Sequence, residues 1–179
     1  MISGANRGLG NAIARRLYSD GYNVSVGGRD VEALRRSMEG CEDSRVLCHR
    51  YDAAEPGTDA TWLNATVERF GSLSGLVNNA GIIDTAGLEA LTEDGLDALW
   101  SVNVKAPFRM IQLALPLLRA DGSGRVVSIA SLSGVRVMGK FAPGYAMSKH
   151  AVLALSEATK QAGWDDGVRV TSVCPGFIA

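Results

Sequence analysis

The sequence predicts a doubly wound α/β fold: one parallel sheet with helices on both faces. Three observations predict it. Short runs rich in β-branched residues alternate with longer amphipathic stretches along the whole chain. No repeat, linker or low-complexity tract interrupts them, so residues 1–179 are expected to form one domain. The opening stub leads at once into a glycine-rich turn and then an amphipathic helix, the order in which such sheets begin. Parallel strands need crossover connections, and right-handed crossovers place helices on the faces of the sheet.

The elements follow in order. Met1 to Ser3 is a strand stub, and the pattern beyond the glycines predicts a helix over 7–19. "NVSV" (23–26) reads as the second strand, followed by a helix over 30–38. "RVLCHRY" (45–51) is the third strand and 57–69 the next helix. "LSGLVNN" (73–79) is the fourth strand. A long helical pattern over 93–119 contains Pro107 and Pro116, which should bend or break it, because proline removes a backbone donor and clashes with the preceding turn. "GRVVSIA" (124–130) and "VRVTSV" (168–173) are the last strands, flanking a helix over 146–163.

Composition narrows the function classes. Hydrophobic residues make up 46% and charged residues 21%, a mix that builds a core rather than a disordered chain. Eighteen basic and nineteen acidic side chains leave a net charge of −1, so no general field draws the molecule to nucleic acid or an anionic membrane. The longest apolar run, "MIQLALPLL" (110–118), is too short for a membrane span, and the early glycine turn leaves no room for a signal sequence, so a cytoplasmic location is expected. Cys41, Cys48 and Cys174 form no paired framework and read as free thiols in a reducing compartment. Cys48 and His49 are strand neighbours facing opposite ways, so no metal site is expected.

"SGANRGLGNAIARRL" carries the first functional signal. Gly4, Gly8 and Gly10 allow a tight turn and close backbone approach to a pyrophosphate, whose charge suits the helix start. Gly4, Asn6, Arg7, Gly8, Leu9 and Gly10 are the expected contacts. About twenty residues on, where an NAD-binding domain carries an acid for the ribose 2′-hydroxyl, stand Gly28 and Arg29. A guanidinium there can fork onto a 2′-phosphate, and Arg7 offers a second cation, so NADP(H) is favoured over NAD(H).

"GYAMSKH" (144–150) carries the second. Tyr145 and Lys149 stand four apart, on one face of a helix. Reduction of a carbonyl develops negative charge on oxygen and needs a proton donor within hydrogen-bond distance. An ordinary phenol titrates near pH 10, and a neighbouring cation favours its ionised form. Unit charges about 4 Å apart at an effective dielectric near 20 attract by roughly 4 kcal/mol. His150 is rotated about 100° from that face and is given a structural role.

With these residues in hand, the sequence resembles the short-chain dehydrogenase/reductase family over nearly its whole length. The turn matches TGxxxGxG with Ser3 for threonine, "NNAG" (78–81) follows the fourth strand, "YAMSK" matches YxxxK, and "CPGFIA" matches a Pro-Gly segment. The resemblance implies a Rossmann fold and a catalytic group of Asn103, Ser131, Tyr145 and Lys149. It also implies that Asp52 lies near the adenine and that Asn79, Ala80, Gly81, Pro175 and Gly176, with Tyr145 and Lys149, line the cofactor site. Among Ser128, Ser131 and Ser133, the SxxG spacing to Gly134 favours Ser131, although any of the three could serve a turn.

The pattern departs from the family in places. Only three residues precede Gly4, the interval from Ser131 to Tyr145 is one residue longer, and Ala130 replaces a serine. The family's substrate-covering segment and final strand are missing after Ala179, so the fold is expected to be incomplete at the C-terminus. The sequence therefore points to an NADP(H)-dependent oxidoreductase interconverting a small-molecule alcohol and carbonyl, with substrate selection expected from the missing segment together with the residues after "NNAG" and around Met138 to Pro143. The alternative is a truncated, catalytically silent dinucleotide-binding or interaction module. Family analogy further implies a homodimer or homotetramer joined through the helices near 107–119 and 146–163, and neither nucleic acid nor membrane is an expected partner.

Overall fold

Apolar β-branched runs pair where both of their faces can be covered, and that condition sets the sheet. The computed structural model describes residues 1–137 and 139–177. Strands β1 (Ile2–Ser3), β2 (Val24–Gly28), β3 (Val46–Arg50), β4 (Gly75–Asn78), β5 (Arg125–Ile129) and β6 (Arg169–Val173) form one sheet. All pairings are parallel, in the order β3-β2-β1-β4-β5-β6. The expected doubly wound sheet is present. The chain winds outward from β1 to β3, returns to the middle, and winds the other way through β6. Loops leaving β1 and β4 therefore diverge, and a crevice opens between them at the carboxyl ends of the strands.

Helices α1 (Gly8–Ser19) and α2 (Val31–Ser37) bury Ala14 and Leu34 against Ile2, Val24, Val26 and Val77. Helices α3 (Thr58–Phe70) and α5 (Ala106–Asp121) form a second cluster with Trp62, Met110, Leu118, Leu76 and Val126, joined by Leu155 of α6 (Pro143–Gly163). Because side chains alternate along a strand, Leu76 and Val77 serve different clusters. Among the described residues, no helix is long and apolar enough to cross a membrane.

The prolines do not interrupt the long helical stretch where the sequence predicts. Helix α4 (Glu93–Trp100) passes into a π-helical turn at Ser101–Lys105 and then into α5. Pro107 lies in the first turn of α5, where an amide has no intrahelical partner to lose. Pro116 stays inside α5. The irregularity is thus a widened turn around Asn103, a feature common at functional sites. Helix α6 also starts at Pro143, three residues before the predicted start, which puts Tyr145 in its first turn.

Trp62 joins the second core to strand β2. Its Nε1 donates to Ser25 Oγ at 2.8 Å, and its ring lies under Gly27, where an added Cβ would stand 2.7 Å from ring carbon. Overpacking a filled core typically costs about 1–3 kcal/mol. Gly27→Ala is expected to lose that much stability in urea unfolding, and an unchanged midpoint would show that the ring shifts freely.

Candidate active site

The first loop is built by backbone constraints. Gly4 and Gly8 have φ of +67° and +56°, a region that favours glycine. At Gly10 a Cβ would stand 2.4 Å from both Gly4 O and Asn79 Nδ2. Ser3 Oγ accepts from the backbone N–H of Asn79 at 2.9 Å and of Ala80 at 3.0 Å. Asn79 Nδ2 donates to Ser3 O at 2.9 Å and Gly4 O at 3.2 Å. Helix α1 then begins with no side chain capping its amides and no acidic residue in its first turn. Such a start attracts an anion.

Most of the expected cofactor residues share one cleft. Gly4, Asn6, Arg7, Gly8, Leu9, Gly10, Arg29, Asp52, Asn79, Ala80 and Gly81 line a volume of about 520 Å³. Arg7 and Arg29 are exposed, and among the described residues neither forms an ion pair. Asp30 does not neutralise Arg29, because its Oδ1 accepts from Ala33 N at 2.9 Å and caps α2. Tyr51, Ala53, Ala54, Ile82 and Val102 also line the cleft and were not assigned from the sequence. Tyr51 is buried against Trp62, with ring centroids 5.0 Å apart, and burial pushes its phenol well above the ordinary value. Its place at the strand end, beside Asp52, was the signal available for it.

The expected catalytic residues lie beyond Gly81. A Cβ on Gly81 would stand 3.2 Å from Asn103 Oδ1 and 3.6 Å from Lys149 Nζ. Lys149 is only 5% exposed, and its Nζ donates to Ile129 O at 2.8 Å. The ammonium lies 5.6 Å from the ring centroid of half-buried Tyr145, so the two side chains adjoin. Burial lowers Lys149 from the ordinary 10.5 to about 8, while the nearby Cys174 thiol acts in the opposite direction. Ala142, just ahead of α6, holds φ at +51°, a strained value for a residue with a side chain.

Asn103 is 2% exposed. Its Oδ1 accepts from Ile82 N at 2.9 Å, and its Nδ2 donates to Ile82 O at 2.9 Å and Ser148 Oγ at 3.0 Å. The side chain therefore fastens the segment after β4 to α6. Ser131 Oγ accepts from Ser133 N at 3.1 Å and caps a short 3-10 turn. Gly134 ends that turn against α6, where a Cβ would stand 2.7 Å from Lys149 O. Pro175 O accepts from Leu132 N at 2.9 Å, but neither Pro175 nor Gly176 lines the cleft. His150 is exposed, with Nδ1 2.9 Å from Ala146 O. Met138, and Ile178 and Ala179 of "CPGFIA", lie outside the described residues.

Comparison with known proteins shows the family. The short chain dehydrogenase family profile matches residues 1–179, and the chain belongs to that family. It is 44% identical over 180 residues to an agropine synthesis reductase of Rhizobium rhizogenes, covering 100% of this chain and 41% of that protein. The crystal structure of levodione reductase superposes with a TM-score of 0.92 at 33% identity, covering 98% of this chain and 69% of that one. An alcohol dehydrogenase from the archaeon Thermococcus sibiricus, complexed with 5-hydroxy-NADP, gives 0.89 at 31% identity, covering 98% and 74%. The chain thus spans about two fifths of the length of the agropine synthesis reductase it matches.

Burial of Lys149 makes stability depend on pH with a definite sign. Below about pH 8 the ammonium is protonated in both folded and unfolded chains, and its desolvation destabilises the fold in full. Between about 8 and 10.5 the unfolded chain holds the extra proton, so this group's contribution to stability rises with pH. The difference corresponds to about 3 kcal/mol. Urea unfolding of wild type and Lys149→Met should give a gap that is flat below about pH 8 and moves toward wild type between 8 and 10.5. A gap that stays constant to pH 10.5 would contradict the burial of a charged lysine.

Proposed function

We propose that the chain forms the cofactor-binding and catalytic part of an NADP(H)-dependent oxidoreductase that interconverts an alcohol and a carbonyl, with Tyr145 as general acid and base. One juxtaposition carries this reading: the buried Lys149 ammonium lies 5.6 Å from the Tyr145 ring, beside Gly81 at the end of the glycine-turn cleft. The residues present fit the cofactor. Backbone can approach closely at Gly4 and Gly10, the start of α1 is uncapped, and Gly28 places no carboxylate where a 2′-phosphate would meet Arg29 and Arg7. The bound nicotinamide supplies the hydride.

The chain's own groups handle the proton and the developing charge. Tyr145 gives its phenolic proton to the carbonyl oxygen in reduction and takes it back in oxidation. The bond from Lys149 Nζ to Ile129 O at 2.8 Å fixes the ammonium in place, 5.6 Å from the Tyr145 ring. Ser131 accepts from Ser133 N, which leaves its own O–H to donate to the substrate oxygen. Asn103 acts by holding Ile82 at the edge of the site.

The substrate side is the region where the segment after β4, exposing Ile83 and Leu88, meets the segment before α6, exposing Phe141. An added Cβ on Gly87 would lie 3.6 Å from Lys140 O, so these segments adjoin. A small-molecule alcohol or carbonyl would enter there. The exposed Phe108 and Leu113 on α5 and Met147 on α6 support self-association as a homodimer or homotetramer. A cytoplasmic location belongs to the same reading.

Tyr145→Phe tests the central assignment. Turnover in a panel of ketones, aldehydes and secondary alcohols, followed by NADPH absorbance, should fall by a factor of about 10² to 10⁴ while NADPH still binds. Unchanged turnover would remove Tyr145 from the chemistry. For the cofactor, Arg29→Asp should move the ratio of kcat/KM toward NADH by at least about tenfold, the effect of roughly 1.4 kcal/mol. An unaltered ratio would show that the 2′-phosphate is read elsewhere.

A further inference from the structure

The wall of the cleft formed by Asp52, Ala53 and Ala54 has no strand to hold it. The last sheet-like bond before it is Tyr51 N to Gly28 O at 2.9 Å. Part of its shape is local: Thr58 Oγ1 donates to Asp52 O at 2.9 Å, and Ala54 N donates to Asp52 Oδ1 at 3.0 Å. The rest comes from helix α5. Arg109, on α5, donates from Nη2 to Ala53 O at 2.9 Å and from Nε to Asp59 Oδ2 at 2.6 Å. Asp59 is 3% exposed, and its other oxygen accepts from Gly57 N and Ala60 N at 3.0 Å each. Burial works against its charge, but Arg109 and those two amides hold the carboxyl below its ordinary value.

Among the described residues this is the one ion pair with a buried member; in every other pair both side chains are at least 40% exposed. A buried pair adds little stability over well-packed apolar groups, so its presence points to a demand for geometry. The guanidinium's fixed fork meets that demand by tying the loop carbonyl and the start of α3 in two set directions. It also sits on the helix that follows the π turn bearing Asn103, so one continuous element reaches both the reacting end of the site and the far wall of the cleft.

We propose that Arg109, acting through Ala53 and Asp59, is a positioning residue that sets the wall at residues 52–54 and thereby the affinity for the adenosine half of the cofactor. This rests on the reading that the cleft takes NADP(H). The guanidinium itself is not among the residues lining the cleft.

The test is calorimetric titration of the folded wild-type chain, Arg109→Met and Arg109→Lys with adenosine 2′,5′-bisphosphate and with NADPH, each with a thermal unfolding scan. Arg109→Met, which strands Asp59, should bind the bisphosphate at least tenfold more weakly. Arg109→Lys keeps the charge and lacks the fork; it should fold and bind about threefold more weakly, so the test survives if the methionine variant does not fold. NADPH affinity should fall in step. Variants that lose thermal stability yet bind both ligands as wild type does overturn the proposal, since a merely structural residue behaves that way. A wild-type chain that binds neither ligand overturns it together with the cofactor reading.

Discussion

Two strand ends that diverge must be fastened together before the crevice between them can hold anything. Here the fastening is the pair of side chains Ser3 and Asn79, which satisfies the amides of Asn79 and Ala80 and the carbonyls of Ser3 and Gly4. These backbone groups lie where the sheet ladder ends and would otherwise lack partners. The fastening sets the turn so tightly that Gly10 has no room for a Cβ. It also fixes where α1 begins and hence where its uncapped amides lie. Gly81, two residues beyond Asn79, then falls against Asn103 and Lys149.

The end of the cleft at Gly81 is made differently, by groups held against their preferences. Lys149 is buried although burial disfavours its charge. Ala142 takes a left-handed backbone conformation, and the helix before α5 opens into a π turn. Lys149 and Asn103 meet at Gly81 and are held by contacts elsewhere: Ile129 O for the ammonium, Ile82 and Ser148 for Asn103. Clustering of strained or costly features in this way is the mark of a site rather than of a core.

What the sequence made legible was whatever depends on near neighbours. The alternation of strand and helix, the glycine spacing from Gly4 to Gly10 and the four-residue step from Tyr145 to Lys149 are local patterns, and each stands in the structure where expected. The break in the helical stretch over 93–119 was misplaced. Proline has a visible signature, whereas the π turn carries Asn103, whose partners Ile82 and Ser148 are distant in sequence and which no spacing rule reveals. Val102 lines the cleft because of packing between elements far apart in sequence, whereas Tyr51 carried a local signal in its place at the end of β3 beside Asp52. The role of Arg109 depends on Asp59 and Ala53, some fifty residues away in sequence, so no local pattern marks it.

The claim on which the rest depends is that the crevice between β1 and β4 takes a nicotinamide dinucleotide bearing a 2′-phosphate. Isothermal titration of the 179-residue chain with NADPH and, separately, with NADH measures this directly. The expected result is one NADPH bound per chain, displaced by adenosine 2′,5′-bisphosphate, with NADH bound at least about tenfold more weakly, a gap of roughly 1.4 kcal/mol. Equal affinity for the two would contradict the role given to Arg7 and Arg29, and no binding of either would contradict the site as a whole.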